Sequence, residues 1–179
     1  LNPEDAEDVR RLIAYDEDVA GGLMKLEFLS FRNSVTVREV LSDLEVNAER
    51  YSGFDIQYTY VVDSHGRLEG VVPLRELLLA PRARELRDVM IPEPVSVADE
   101  STLESLSAVF RNEPYLGLPV VDPHGMLLGV LERSAVHGAE AEDAEGQYRH
   151  TQGIVGGEEL RSMPLLVRSR RRLGWLSIN

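Results

Sequence analysis

The hydrophobic and polar positions of this chain follow the same order twice. In each half, an extended segment precedes apolar residues spaced as on one face of a helix, and two short runs rich in β-branched or aromatic residues follow. A short helical segment ends each half. The predicted elements are 26–31, a helix from Val37, 58–62, 68–72 and 74–79 in the first half, and 95–97, a helix from Leu103, 118–121, 127–131 and 133–136 in the second. The pattern predicts two β-α-β-β-α units, which is a mixed α/β (α+β) fold with flanking helices.

Sequence identity between the halves supports a duplication. The run 62–66 (V-D-S-H-G) recurs as 121–125 (V-D-P-H-G), and 70–72 (G-V-V) recurs as 129–131 (G-V-L), both at a spacing of 59 residues. Met24 and Met90 precede the two halves at a spacing of 66 residues. The extra length in the first half is therefore expected around 47–58. Two copies are too few for a repeat array, so we expect one pair of small modules.

Both first helices carry a capping-box pattern at their predicted start. The runs are Thr36-Val37-Arg38-Glu39 and Ser101-Thr102-Leu103-Glu104. In a capping box, the hydroxyl and the carboxylate three residues later satisfy free backbone amides of the first turn. Glu104 is therefore expected as the capping partner of Ser101.

Composition narrows the class of protein. The chain has 31 acidic against 19 basic residues and a net charge of −12, which disfavours nucleic acid as a partner because phosphate binding needs clustered Lys and Arg. It has no cysteine, which excludes disulfides and thiolate metal sites. No Ser-His-Asp or Cys-His set with a supporting motif occurs, and the acids at 140–145 lie in a segment without the rigid support that catalytic carboxylates need. The sequence therefore does not predict an enzyme.

The two ends of the chain differ from the repeats. Residues 139–157 are rich in Ala, Glu and Gly, which predicts a hinge or a frayed helix, and Pro164 stands in the first turn of a predicted terminal helix. Four arginines between 168 and 172 then precede a Trp-led apolar run at 173–178. Basic residues before such a run are typical of the cytoplasmic end of a membrane span. A basic amphipathic tail is the alternative.

The repeated unit, with Met at its start and V-D-x-x-G before a G-h-h strand (h is hydrophobic), resembles the CBS-domain pair over 24–139. Two further segments are similar to the MgtE family of magnesium transporters. The run 15–24 (Y-D-E-D-V-A-G-G-L-M) looks like the junction before the first CBS domain, and 164–176 looks like the connecting "plug" helix. The resemblance implies a homodimer at the cytoplasmic face of the inner (cell) membrane. It also implies that the chain binds regulatory Mg²⁺ and closes its own transmembrane pore when magnesium is plentiful.

The resemblance divides the chain into five parts. They are a remnant of an N-terminal helical domain with its linker (1–23), CBS domain 1 (24–80), CBS domain 2 (81–139), a hinge with the connecting helix (140–173) and the start of a truncated membrane span (174–179).

Carboxylates on facing surfaces are the expected magnesium ligands, because Mg²⁺ takes oxygen ligands and keeps several waters. The run 140–145 is favoured because it lies at the expected hinge, although each acid taken alone also fits a solvated surface. At the positions where the family tends to carry aspartates, this chain has the run 132–138 (E-R-S-A-V-H-G), and Pro114 replaces a further acid. The candidate ligands are Glu104, Glu113, Glu140, Glu142, Asp143, Glu145, Glu158 and Glu159.

Adenine nucleotides, ATP or AMP, are a second ligand class that the resemblance raises. The marker of CBS nucleotide sites is G-h-h-[ST]-x-x-D, whose acid holds the ribose hydroxyls. The first copy has Pro73 at the hydroxyl position and Glu76 at the acid position, whereas the second has Glu132 and Ala135. Glu76 is thus the nucleotide candidate, and the second site is expected to be inactive. A nucleotide-sensing module and a dimerisation module that binds nothing remain as alternatives to magnesium sensing.

Overall fold

The protein is described by a computed structural model that covers residues 15–151, with side chains through Ala144. Six α-helices and two sheets follow the predicted order, so the duplicated β-α-β-β-α prediction is confirmed. The elements are α1 (Ala20–Leu23), β1 (Leu29–Arg32), α2 (Val37–Val46), α3 (Ala48–Tyr51), β2 (Tyr58–Val62), β3 (Leu68–Pro73), α4 (Leu74–Leu79), a 3₁₀ turn (Leu86–Asp88), β4 (Ile91–Pro92), β5 (Val97–Ala98), α5 (Leu103–Asn112), β6 (Gly117–Val121), β7 (Leu127–Glu132) and α6 (Arg133–Thr151).

Each copy builds one sheet with the same topology. The first sheet has the order β1-β2-β3-β4, in which β1 and β2 are parallel and the other neighbours are antiparallel. In the second sheet, β5 is parallel to β6, and β6 is antiparallel to β7. Parallel neighbours need a crossover connection, which α2 supplies in the first copy and α5 in the second. The extra residues of the first copy lie between α2 and β2, where α3 forms, as expected.

The two copies exchange the segments that lead into them. We call residues 15–25 the first lead-in and 81–91 the second lead-in. The second lead-in ends in β4, which pairs with β3 of the first copy. The first lead-in ends at Lys25, which bridges to Val130 on β7 of the second copy. Each sheet is therefore completed by the segment that precedes the other copy.

A methionine lies over a glycine at both exchanges. A Cβ added at Gly70 would stand 2.4 Å from the sulfur of Met90, and one added at Gly129 would stand 2.7 Å from the sulfur of Met24. Methionine is unbranched and flexible, so it can fill the space that a glycine leaves open. This contact explains why Met and the G-h-h run recur together in the sequence.

The first lead-in is structurally part of the second copy. Ala20 N–H donates to Ser101 O at 2.9 Å, and the Tyr15 hydroxyl donates to Asp99 Oδ2 at 2.8 Å. Gly22 lies so close to the Asp16 carbonyl that an added Cβ would be 1.9 Å from its oxygen, so only glycine fits. The domain boundary expected at 23/24 falls inside this lead-in, which packs on the second copy in space.

Each copy has its own apolar core. In both cores, the first helix of the copy packs on its sheet together with a lead-in. The buried members are Val37, Val40, Val61, Val72, Leu77 and Leu86 in the first core, and Ala20, Met24, Val97, Leu106, Phe110, Leu118, Val120, Leu131 and Val136 in the second.

The two D-x-H-G turns meet across a local twofold axis. Leu68 N–H donates to Gly125 O at 2.9 Å, and Leu127 N–H donates to Gly66 O at 3.2 Å. Both glycines have positive φ (87° and 80°), which a residue with a side chain adopts at a cost. The preceding aspartates (Asp63 and Asp122) accept two backbone N–H bonds each within the turn. The repeated histidines contribute their backbone N–H groups to these turns.

Only one of the two predicted capping boxes forms. Thr36 and Glu39 bond reciprocally at the start of α2, as predicted. The prediction for Ser101 and Glu104 was wrong, because Thr102 is the N-cap of α5 and accepts from Ser105 N at 3.5 Å. The spacing of 66 residues places Thr102, rather than Ser101, opposite Thr36.

The stretch expected as a hinge is helical where the structure describes it. Helix α6 runs without interruption from Arg133 to Thr151 and contacts α5. Ala and Glu are strong helix formers, so their abundance favours a helix over an extended linker. Of the two alternatives predicted for 139–157, the described part to Thr151 is a helix and not a hinge, and the remainder lies outside the described residues. Within 15–151, no helix is long and apolar enough to cross a membrane. The predicted span at 174–179 and its connecting helix lie outside the described residues.

Substituting Gly129→Ala should destabilise the protein more than Gly70→Ala. At Gly129 the added methyl group meets the Lys25 carbonyl oxygen at 2.8 Å as well as Met24, whereas the nearest atoms at Gly70 all belong to the Met90 side chain. Backbone cannot yield as a side chain can, so we expect a loss of ~1–3 kcal/mol at Gly129. Urea unfolding of both variants measures this, and equal losses would contradict the explanation.

Asp63 should contribute stability that depends on pH. Its bonds from Arg67, first from the backbone N–H, lower the pKa of its carboxyl from 3.8 to about 2. A lowered pKa in the folded state stabilises above the ordinary pKa, and this stabilisation is lost as the pH falls from about 4 through about 2. Asp63→Asn should therefore unfold at lower urea than the native protein at pH 7, with the difference narrowing by pH 3. Asp122→Asn is the matched turn, in which Met126 takes the place of Arg67 as the fourth residue after the aspartate, and it should show the smaller loss at pH 7.

Candidate functional site

A cavity of about 380 Å³ opens between the two copies, beside β7. Its walls come from the end of the first lead-in, from β2 with the loop before it, and from the start of α6. The lining residues are Lys25, Glu27, Phe28, Leu29, Asp55, Ile56, Gln57, Tyr58, Tyr60, Leu116, Gly117, Val130, Glu132, Arg133, Ser134 and His137. The exchange of lead-ins helps to form this space, because it brings Lys25 onto the sheet of the second copy, while Phe28 packs on Tyr60 of the first.

Aromatic rings form one wall of the cavity. Phe28 meets Tyr60 edge to face at a centroid distance of 6.1 Å, and Tyr58 lies 6.4 Å from Tyr60. Tyr60 is only 2% exposed, and its hydroxyl has no hydrogen-bond partner within the described residues. Burial raises the pKa of Tyr60, so the phenol stays protonated and remains a donor. Buried hydroxyls are normally paired, so this one marks the cavity as a place for a polar ligand or water.

The two cations of the cavity are already engaged. Lys25 Nζ donates to Glu132 Oε1 at 2.5 Å. The guanidinium of Arg133 donates to the carbonyls of Phe110 (2.6 Å), Glu113 (2.5 Å) and Tyr115 (2.9 Å). Arg133 therefore holds the end of α5 against the start of α6.

The nucleotide candidate Glu76 lies elsewhere. It is exposed in the first turn of α4, 3.6 Å from Arg75, and it does not line the cavity. The cavity lies instead at Glu132, the position of the marker in the second copy, where the sequence predicted an inactive site. A usable signal was present in the alternating tyrosines 58 and 60, which share one face of β2.

Among the magnesium candidates on α6, Glu140 is already paired. The nearby Ser107 hydroxyl, followed by His137 and Arg111, lowers the pKa of Glu140. Its Oε2 is 3.2 Å from Nδ1 of His137. The carboxylate therefore stabilises the α5–α6 contact in the described chain.

The acidic residues of α6, Glu140 included, do not all lie on one side of the helix. Residues of an α-helix are spaced by ~100°, so Glu140 and Asp143 stand ~60° apart, whereas Glu142 points ~160° away from Glu140. Glu142 and Asp143 are exposed. The side chain of Glu145 and the whole of 158–159 lie outside the described part.

The two candidates near α5 are separate from that set. Glu104 is exposed in the first turn of α5, and Glu113 follows its last residue, where its backbone carbonyl accepts from Arg133. Within the described residues, no three Asp, Glu or His side chains are grouped so that they could hold a metal ion. The magnesium ligands thus stay a prediction, and within this part of the chain they would need a second surface.

Comparisons with known proteins agree with this architecture. The CBS-domain family profile matches residues 86–141. The chain is 37% identical to the magnesium transporter MgtE of Thermus thermophilus over 131 residues, and 30% identical to that of Enterococcus faecalis over 173 residues. These matches cover 73% and 97% of this chain, but only 29% and 37% of the relatives, so the chain spans about a third of their length.

Solved structures give the same result. The cytosolic domain of the Mg²⁺ channel MgtE in complex with ATP superimposes with a TM-score of 0.72 at 36% identity, over 78% of this chain and 55% of that one. The soluble part of a magnesium transporter gives 0.73 at 28% identity, over 80% and 56%. CBSX2 in complex with AMP gives 0.57 at 25% identity, over 71% and 98%. With its exchanged lead-ins and paired sheets, the chain is a tandem CBS-domain pair, and it is similar to the cytosolic CBS-domain regions of MgtE-type magnesium transporters.

Proposed function

We propose that this chain is a cytosolic regulatory region that senses Mg²⁺ through acidic surfaces and controls a magnesium pore in the same protein. One observation carries the proposal. Helix α6 follows the second CBS copy as a single helix, precedes the basic and Trp-led C-terminal segment in the sequence, and carries exposed carboxylates at 142 and 143. A cation bound there acts on the element that leads out of the sensor.

Facing carboxylates supply the energy for such a switch. Two like charges 4 Å apart repel by roughly 4 kcal/mol at an effective dielectric constant near 20. A shift of ~5.5 kcal/mol takes a two-state equilibrium almost completely from one side to the other. A few acid pairs between α6 and a second surface, either Glu158 and Glu159 or a partner subunit, are therefore enough. At Glu140, Mg²⁺ would compete with the contact that this carboxylate already makes with His137.

Magnesium should stabilise this chain beyond the effect of ionic strength. We expect millimolar Mg²⁺ to raise the melting temperature more than NaCl at the same ionic strength, because screening alone acts in both. The triple variant Glu142→Gln, Asp143→Asn and Glu145→Gln should lose most of this difference, because it removes charge with little change of volume.

The control variant changes three exposed acids elsewhere, Glu45, Glu49 and Glu100, to Gln and loses the same charge. It should keep the Mg²⁺ response. A response that NaCl reproduces completely would contradict specific sensing, and a response that survives in the first triple variant would exclude the α6 acids as its ligands.

The chain should also form a homodimer through its CBS helices. Large apolar side chains are exposed on the first copy, with Val46 78% exposed at the end of α2, and Leu78 and Leu79 52% and 68% exposed on α4. Analytical ultracentrifugation at tens of micromolar should show a dimer. Leu78→Glu with Leu79→Glu should dissociate it, whereas Ile91→Glu, which lies outside the helices, should not. A strict monomer with and without Mg²⁺ would contradict this prediction.

A second candidate function is the binding of an adenine nucleotide or nucleoside. It is favoured by the cavity, whose aromatic wall and unpaired Tyr60 hydroxyl suit a flat polar ligand. Related CBS pairs have been solved with ATP and with AMP. The two functions are compatible, since the cavity ends at Arg133 and His137 at the start of α6.

A further inference from the structure

We infer that the cavity beside β7 takes an uncharged adenine nucleoside in preference to its phosphorylated forms, with affinity falling in the order adenosine, AMP and ATP. This inference rests on the second candidate function and adds the ligand class and the basis of selection. Three features of the cavity support it: its size, its unpaired hydroxyl and its charges.

The size and the lining suit the nucleoside part of a ligand. Small-molecule sites range from ~300 to 1,000 Å³, and this cavity of about 380 Å³ lies at the small end. The rings of Phe28 and Tyr58 offer apolar surface to a flat base. A base or sugar also supplies donors and acceptors, and one of these can pair with the Tyr60 hydroxyl, for which the described part of the chain offers no partner.

Both cations that line the cavity are already bound to other groups of the described chain. Phosphate recognition normally depends on Arg or Lys donors that face the ligand. Here Lys25 is paired with Glu132, and three of the five N–H donors of Arg133 are bonded to carbonyls of the α5 end and the following loop. An entering phosphate would have to displace one of these partners.

The carboxylates of the cavity act in the same direction. Glu27, Asp55 and Glu132 line it, so phosphate groups would enter a space whose lining carries three carboxylates. Glu132 occupies the position where the nucleotide marker of CBS pairs has a hydroxyl residue. It both adds negative charge and neutralises Lys25, the cation that could otherwise bind phosphate. Glu132 is thus the residue that determines selection against phosphate.

Isothermal titration calorimetry of the whole chain with adenosine, AMP and ATP, without divalent cations, tests the order directly. The native chain should bind adenosine at least about tenfold more tightly than ATP, which corresponds to ~1.4 kcal/mol. Glu132→Ser restores the hydroxyl and frees Lys25, so it should raise the affinity for ATP about tenfold while that for adenosine changes little. Glu100→Ser removes the same charge at an exposed position outside the cavity and should leave the order unchanged.

Tyr60→Phe tests the hydroxyl separately. Because this hydroxyl has no hydrogen-bond partner among residues 15–151, its removal should not lower the melting temperature without ligand. The affinity for adenosine should fall about tenfold, as expected for one lost hydrogen bond to a buried group. An unchanged affinity would overturn the role of Tyr60.

The outcomes separate the inference from the candidate function on which it rests. If ATP binds the native chain more tightly than adenosine, or if Glu132→Ser leaves the order unchanged, selection by charge is overturned while nucleotide binding stands. If none of the three ligands binds the native chain or Glu132→Ser, the second candidate function itself fails, and the inference fails with it.

Discussion

The exchange of lead-in segments is the constraint on which the rest of the structure depends. Each sheet is completed by the segment that leads into the other copy. At each exchange a methionine packs against a glycine of the sheet, Met24 on Gly129 and Met90 on Gly70. A unit of about 60 residues buries only ~60% of its surface when it folds alone, so a shared boundary adds burial that one copy lacks. The two copies therefore stabilise one another, and neither is complete without the other.

The same exchange forms the cavity and joins it to α6. Lys25 follows Met24 directly, so the contact that seals the sheet also brings an ammonium group to Glu132 at the end of β7. The next residue, Arg133, begins α6 and binds the carbonyls at the end of α5. One short stretch of chain, 132–140, thus contains the cavity wall, the helix start and the first acid of α6. Ligand binding and magnesium binding would both act on this stretch.

Much of the fold could be predicted from the sequence, whereas little of the site could. The strands β2 and β3 and the helix α4 agree with their predicted ranges to within one residue, because β-branched, aromatic and other apolar residues mark where each element begins and ends. Two predictions differ from the structure for reasons within the segments themselves. Adjacent Ser101 and Thr102 both suit the N-cap of α5, and Thr102 is the one used. The Ala and Glu residues of the segment after β7 favour a helix over a hinge. The nucleotide-site marker points to Glu76 in the first copy. A marker within one copy does not show which residues of the two copies line a cavity between them, and Glu76 does not line it.

The sequence by itself determined the duplication, the element order, the turns and the family, because these follow from spacing, periodicity and residues that act on their own backbone. Asp63 and Gly66 specify their turn whatever surrounds them. Only the tertiary structure decided which copy each lead-in completes and that Glu132 forms an ion pair with Lys25. It also decided that the Tyr60 hydroxyl is buried with no hydrogen-bond partner among the described residues. These facts depend on contacts between residues as much as 107 positions apart, and no local pattern records such contacts.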